Sequence, residues 1–600
     1  MDKGIKPKKS TIPATTGVFL LPRWIGRKGA AEGKQMKQTL RAAICVLNSK
    51  YIHSSLAPWC LLAGVGAYGE EGVSAKVIEG TINEKLENVF LRIVEQRPQV
   101  IGFSCYIWNI EKTKRLIRLV KQEFPDAIII LGGPEVSYCA QEILRGEAKV
   151  DYVISGEGEK PFALLLNSIL RGTEACGLPG VCCRNGDKIV VAEPYVTHEE
   201  PPSPYTEEYL GALKGRIAYL ETSRGCPYSC AFCLSGRCGN IRFFNFERAK
   251  KELLLLANSG TQTVKLVDRT FNANRKRANQ IFQFIIDNYG KAIPQGVCFH
   301  FELAGDLLDE PTIGLLAKAP TGAMQLEIGL QSFHAKTLEA IHRRTDVERL
   351  KHNIARLVSN GNMHIHIDLI AGLPQENFDC FAKSFNIAYD LKPNMLQLGF
   401  LKLLYGAPMR EEPEAYPCCY SKEPPYEVTE TPWLTPKELL TLHHTEDALE
   451  RLYNSGRFRR ALQYLLEESG LTPFELFRGF GEYAAEQGTE RIALDDYTAL
   501  VFNYFSDLTG IDRSILRDRM VCDRLAGNPS GRLPFVLRVK DSQLKQAAVE
   551  LKRIVGDPEK GVKRGVALLY SEQAVIYADY EKRNPVTGEY SLIKMDSPLC

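Results

Sequence analysis

Short apolar runs alternate with amphipathic stretches from about residue 40 to 192. Ala42–Leu47, Ala75–Glu79, Val100–Ser104, Ala127–Leu131 and Asp151–Ile154 read as five strands. Segments near 58–70, 84–97, 110–124, 137–145 and 160–170 read as the helices between them. Strands that are apolar on both faces, alternating with helices, predict a parallel sheet covered on both sides. The first fold class is therefore α/β and doubly wound, Rossmann-like or flavodoxin-like. The turns Gly132-Gly133-Pro134 and Gly156-Glu157-Gly158-Glu159 follow the fourth and fifth strands. In such sheets ligands bind at the carboxyl ends of strands, where these turns fall. A hairpin of Gly180–Cys183 and Lys188–Ala192, turning at Asn185-Gly186, closes the domain.

Four prolines among charges at 193–214 mark a linker. A second alternating array follows, with strands Ile217–Thr222, Val264–Val267, Cys298–Leu303, Met324–Leu330, His364–Ala371 and Met395–Leu403. Helical segments such as Phe246–Ser259, Arg275–Asn288, Ala335–His342 and Val347–Asn360 intervene, which predicts a partial (β/α)6 barrel. Beyond about residue 430 long helical patterns begin at Thr435-Pro436, an N-cap followed by proline. Strand-like Pro534–Val539, Gly565–Tyr570 and Ala574–Ala578 then predict a small antiparallel sheet in an α-rich C-terminal domain. The expected division is a basic tail at 1–40, a first domain at 41–192, the linker at 193–214, the barrel at 215–430 and an accessory domain at 431–600.

Charge changes this picture only at the N-terminus. The chain of 600 residues carries +3 overall. Residues 1–41 hold ten Lys and Arg against Asp2 and Glu32, which leaves the remainder five negative. The tail lacks periodicity and is expected to be disordered, or to precede a true start at Met36. A mildly acidic body disfavours nucleic acid as partner. No apolar run reaches the roughly 20 residues needed to span a bilayer, so no membrane partner is expected. Seventeen scattered cysteines fit a reducing cytoplasm with thiols free for metal.

The chemistry concentrates in Thr222-Ser-Arg-Gly-Cys226-Pro-Tyr-Ser-Cys230-Ala-Phe-Cys233, directly after the second array's first strand. Three thiolates on one tight loop can converge on one metal centre. Zinc usually takes four ligands as two separated pairs. A 4Fe–4S cluster held by three cysteines instead keeps one iron open, unlike an electron carrier with four. The competing reading is a closed iron–sulfur or zinc module that senses redox state, with Cys238 as fourth ligand.

The spacing, with an aromatic before the last cysteine, resembles the signature of the radical S-adenosylmethionine (SAM) superfamily. The resemblance implies Cys226, Cys230 and Cys233 as catalytic ligands of a 4Fe–4S cluster that cleaves SAM to a 5′-deoxyadenosyl radical. It also implies SAM-binding residues: Phe232 as apolar cover, Asp268 for the methionyl amine, Glu302 for the ribose, Gln331 facing the nucleoside, and Gly372 and Pro374 against the adenine. Arg343 or Arg344 would pair with the methionyl carboxylate.

Residues 41–192, with Leu131-Gly-Gly-Pro-Glu135 and Asp151-Tyr-Val-Ile-Ser-Gly-Glu-Gly-Glu159, resemble the cobalamin-binding domain ahead of the radical core in one branch of that superfamily. Ser104, Gly132, Gly133, Gly156 and Gly158 are the lining residues this implies, and His53 the candidate approach to cobalt. The Asp-x-His-x-x-Gly loop of cobalamin mutases is absent from the chain. Together the resemblances imply a cobalamin-dependent methyltransferase acting on an unactivated carbon, or a cyclisation or rearrangement with the same cofactors. A flavodoxin or ferredoxin would supply electrons; the substrate, a small molecule or peptide, is not legible.

Overall fold

In the computed structural model, residues 39–238, 240–538 and 565–596 are described. The expected N-terminal tail and Met36 lie outside them. The first sheet consists of β1 (Leu40–Asn48), β2 (Val73–Thr81), β3 (Val100–Ser104), β4 (Ile128–Gly132), β5 (Tyr152–Ile154), β6 (Val181–Asn185) and β7 (Lys188–Val190). Its order is β2-β1-β3-β4-β5-β6-β7, with the first five strands parallel and the hairpin antiparallel to them. Five helices cross between and after the parallel strands: α1 (Ala57–Tyr68), α2 (Leu86–Gln96), α3 (Ile110–Glu123), α4 (Ala140–Gly146) and α5 (Glu159–Arg171). β1 and β3 are buried along almost their whole length because both sheet faces are covered, so their apolar runs are continuous rather than alternating.

The segment read as a linker contains a helix, Glu207–Ala212, capped by Thr206. Tyr209 within it is fully buried, and Tyr205 joins it in the core of the second domain. Proline and charge density suggested a loose connection; the buried aromatics hold this one down.

The second domain contains β8 (Ala218–Leu220), β9 (Ser223–Arg224), β10 (Arg242–Phe243), β11 (Thr263–Leu266), β12 (Cys298–Leu303), β13 (Met324–Gln331), β14 (His364–Ala371) and β15 (Met395–Phe400). Six of these form one parallel sheet, β15-β14-β13-β12-β11-β8, while β9 and β10 make a separate antiparallel pair. Along β13, buried Met324, Leu326, Ile328 and Leu330 alternate with half-buried Gln325, Glu327, Gly329 and Gln331. The apolar set faces the outer helices and the polar set faces the lumen, as a period of two requires.

The C-terminal region is helical from Pro436, where Thr435 and Glu438 form a capping box, to Gly527. A three-stranded antiparallel sheet follows, Gly565–Leu569, Ala574–Arg583 and Tyr590–Asp596. The strand expected at 534–539 is a single tight turn at Phe535–Leu537, with Phe535 exposed, and Val539 lies outside the described residues. Pro534 has no N–H for a ladder. Cys176 is joined to Cys183 by a disulfide, a pairing the reading of free thiols did not anticipate.

Candidate functional site

The cysteine loop starts where β8 ends. Thr222 donates to Asp268 through its amide at 3.1 Å and its hydroxyl at 2.8 Å, and the Ser223 hydroxyl donates to the same carboxylate. These bonds pin the base of the loop to the end of β11. Burial pushes the Asp268 carboxyl up to about 6, against the pull of the three hydrogen bonds. Asp268 therefore serves as a brace and is not on the cavity wall, contrary to the role expected for it with the methionyl amine. Gly225, at φ +100°, then turns the chain into the loop, a conformation that suits glycine.

Cys226, Cys230 and Cys233 all open onto one cavity of about 220 Å³ at the mouth of the barrel. Cys226 Sγ lies 3.5 Å from Thr270 Oγ1, and Cys233 Sγ accepts from the Ser235 amide at 3.4 Å. Cys230 is buried, with the Arg343 guanidinium 3.8 Å from its sulfur. Burial raises the Cys230 thiol pKa and the arginine opposes that rise. Arg343 also donates to the Gly329 carbonyl at 2.7 Å, while its buried Nε has no partner. Phe232, Glu302 and Gln331 line the same cavity. Gly372 and Pro374 line neither this cavity nor the one described below. Gly372 has φ +91°, and a Cβ there would lie 2.6 Å from Val428, so its backbone conformation and its packing against Val428 explain the glycine.

Beneath the thiols the lumen is charged, a feature that comes from strand register. Pairing sets Lys265 beside His300, Glu302 beside Glu327, Glu327 beside His366 and Gly329 beside Asp368. Lys265 Nζ lies 2.9 Å from Glu327 and 3.4 Å from Glu302; His300 is 2.8 Å from Glu327, and His366 is 2.9 Å from Asp368. Burial disfavours the Glu327 carboxylate, yet His300 and Lys265 together hold its pKa well below the ordinary range. Lys265, His300, His366 and Asp368 were not singled out from sequence. Their only local signal is a polar residue at alternate strand positions.

A second cavity, about 330 Å³, lies at the carboxyl ends of β3, β4 and β5. Ser104, Gly132, Gly133, Gly156 and Gly158 all line it. A Cβ on Gly133 (φ +106°) would meet the Cys105 carbonyl at 2.5 Å, whereas one on Gly132 would meet nothing nearer than 3.8 Å. The first glycine is demanded by the backbone, and the second leaves a shelf. His53 does not line this cavity. Its ring lies 2.7 Å from the Tyr219 hydroxyl, and its segment bridges onto Ile217 at the start of β8. The loop after β1 is thereby tied to the barrel, and the His53 ring is engaged by Tyr219 outside the wall of this cavity.

The first-sheet cavity is completed by the barrel domain: Glu221, Arg224 and Val267 form part of its wall. Two residues beyond Val267, Arg269 belongs to the wall of the thiol cavity. The two cavities thus share a partition made by the ends of β8 and β11.

Residues 44–166 match the B12 binding domain family and residues 220–388 match the radical SAM superfamily. The chain thus carries a B12-binding domain ahead of a radical SAM domain, a pair of domains that implies a 4Fe–4S cluster, SAM and cobalamin. Residues 414–561 match a further family described only as a protein of unknown function. Among curated proteins, the chain is similar to 2-(S-pantetheinyl)-carbapenam-3-carboxylate methyltransferase of Streptantibioticus cattleyicolor, 28% identical over 47% of this chain and 43% of that one. It is also similar to the cobalamin-dependent radical SAM methyltransferase TokK of Streptomyces tokunonensis, 29% identical over 48% of this chain and 44% of that one. The matched regions span less than half the length of these two relatives. Among solved structures, the cobalamin-dependent SAM radical enzyme OxsB, with aqua-cobalamin and SAM bound, superposes with a TM-score of 0.55 over 88% of this chain and 81% of that one. At 14% identity that likeness is one of fold. No helix among the described residues is long and apolar enough to cross a membrane.

Proposed function

We propose that the chain is a cobalamin-dependent radical SAM methyltransferase that acts on an unactivated carbon of a small molecule or peptide. When bound, the cluster and SAM supply a 5′-deoxyadenosyl radical, and cobalamin supplies a transferable methyl group. Cys226, Cys230 and Cys233 are the residues that would hold the cluster. The donor set fits: three thiols face a cavity whose remaining wall carries charged and polar side chains suited to an amino-acid nucleoside. Arg343, with a buried and unpartnered Nε, would take the methionyl carboxylate, for which a guanidinium fork is suited. Glu302 and Gln331 would accept from and donate to the ribose and base, and Phe232 would cover the cluster from water. On the other side, Ser104 and the four glycines give a broad cofactor a wall that its ring can approach closely.

The observation that carries this reading is the shared partition. Residues of one short stretch, Val267 to Thr270, serve both cavities, so groups bound in the two would face one another across it. We place the reaction in the reducing cytoplasm, with a flavodoxin or ferredoxin as electron donor. The test is anaerobic reconstitution of the full chain with iron, sulfide and hydroxocobalamin, followed by reductant and SAM. 5′-Deoxyadenosine above a cluster-free control is expected, and its absence would sink the proposal in favour of a closed redox module. With a substrate in hand, a product heavier by one methyl group supports transfer; loss of hydrogen without that gain points to cyclisation.

A further inference from the structure

Arg224 sits two residues before the first cysteine of the loop, and its guanidinium is almost fully enclosed. Nη1 is 3.0 Å from Glu157 Oε2; Nη2 is 2.5 Å from Glu159 Oε1 and 2.9 Å from Glu221 Oε2; Nε is 2.9 Å from Glu221 Oε1. Glu157 and Glu159 belong to the glycine turn of the first domain, and Glu221 precedes the cysteine loop in the second. All four residues line the first-sheet cavity. Arg242, paired with Arg224 across β9 and β10, donates to Glu157 as well. Three carboxylates therefore share two guanidinium groups, and the excess negative charge borders the cavity.

We infer that Arg224 couples the two cavities energetically, so that filling the first favours the cluster-holding form of the cysteine loop, and a filled loop tightens binding in the first. The inference rests on the cofactor reading above. Cobalamin presents amide N–H groups around its ring, and Glu157 and Glu221 present carboxylate oxygens to the space it would occupy. Ordering those carboxylates orders the guanidinium bound to both. Arg224 is one peptide from Gly225, the left-handed hinge into the cysteine loop. A planar fork with five donors can hold two domains in one geometry, which a point charge such as lysine does less well. Arg224 does not line the thiol cavity and is a positioning residue. By linkage the effect is the same in both directions.

The test measures hydroxocobalamin affinity of the full chain by anaerobic equilibrium dialysis, with the cluster reconstituted and with metal removed. The wild type is expected to bind at least about fivefold more tightly when reconstituted, the lower end of ordinary coupling between sites. In Arg224→Gln that ratio should fall to about one, with Arg224→Lys between. Release of iron to a ferrous chelator gives the reverse reading: hydroxocobalamin should slow it in the wild type and not in Arg224→Gln. Should Arg224→Gln lose its fold by circular dichroism, Glu157→Gln, which leaves Arg224 its other two carboxylates, should halve the coupling or more; if neither variant folds, the wild-type ratio decides. Equal affinity in the two wild-type forms, or an unchanged ratio in a folded Arg224→Gln, overturns the coupling. A reconstituted wild type that binds no cobalamin overturns the cofactor reading itself, and the coupling with it.

Discussion

The cavity of the first sheet is walled mostly by glycines and apolar side chains at strand ends, with the Arg224 cluster of carboxylates confined to one part of it, whereas the cavity of the barrel is walled mostly by thiols, carboxylates, guanidinium groups and other polar side chains, several on strand interiors. The first is shaped by leaving side chains out: Gly132 and Gly133 let a broad group lie against backbone. The second is shaped by putting charges in, with Lys265 and His300 offsetting the cost of a half-buried Glu327. A wall mostly of backbone and apolar surface selects chiefly by outline. A wall of ligating and charged groups selects by chemistry, and it stays in place only while its charges are paired. The two cavities should therefore respond differently to mutation and to pH.

The largest effect should come from the thiol side. Cys230→Ala removes the buried member of the three, the one beside Arg343. Iron and sulfide incorporation should collapse and 5′-deoxyadenosine should fall to the level without enzyme, read by chromatography after anaerobic reconstitution. Cobalamin should still bind, with the affinity of the metal-free wild type. Loss of both cofactors at once would show that the cavities are not separable units, and full retention of cleavage would remove Cys230 from the cluster assignment.

This contrast also explains what was legible in the chain. The first-sheet cavity uses positions adjacent in sequence to strand ends, and glycine turns after apolar runs reveal such places locally; Gly132, Gly133, Gly156 and Gly158 lie in such turns. The thiols were legible for the same reason, being one contiguous spacing. Lys265, His300, Glu327 and Asp368 come from different strands and meet only through register, which a single strand does not display. Asp268 and His53 were read as ligand contacts because they follow strands at the right end of a sheet. Each instead turns to a neighbouring backbone or ring, Asp268 to Thr222 and Ser223, His53 to Tyr219. Nothing adjacent to Arg224 in the chain signals its role. Its carboxylates at Glu157 and Glu159 lie more than sixty positions away.

Next in size are the glycines, which separate shape from stability within one cavity. Gly133→Ala forces φ +106° on a residue with a Cβ and places that atom 2.5 Å from the Cys105 carbonyl, at a cost of about 1–3 kcal/mol. Gly132→Ala finds open space to 3.8 Å, so stability should stay within about 0.5 kcal/mol of wild type. Its added methyl occupies the shelf, and cobalamin affinity should weaken about tenfold. Thermal melts and equilibrium dialysis on the two variants give the two readings. Unchanged cobalamin binding in Gly132→Ala would mean that the shelf is not where the ring lies.

The smallest effect concerns pH and belongs to the thiol side. Asp268 braces the base of the cysteine loop while titrating near 6 in the folded chain, above the 3.8 of an ordinary aspartate. The folded state thus holds the proton more tightly than the unfolded one. Its stabilising contribution is complete below pH 3.8 and is lost as pH rises through 6, a total of roughly 3 kcal/mol. Of this, about 1 kcal/mol falls between pH 5 and 7.5. Asp268→Asn keeps an acceptor for the two hydroxyls but sets an NH₂ against the Thr222 amide, a cost that does not vary with pH. The variant should therefore melt furthest below wild type at pH 5 and recover a few degrees of that deficit by pH 7.5. A deficit that stays constant over this range would mean that the brace is ionised throughout and that burial does not govern it.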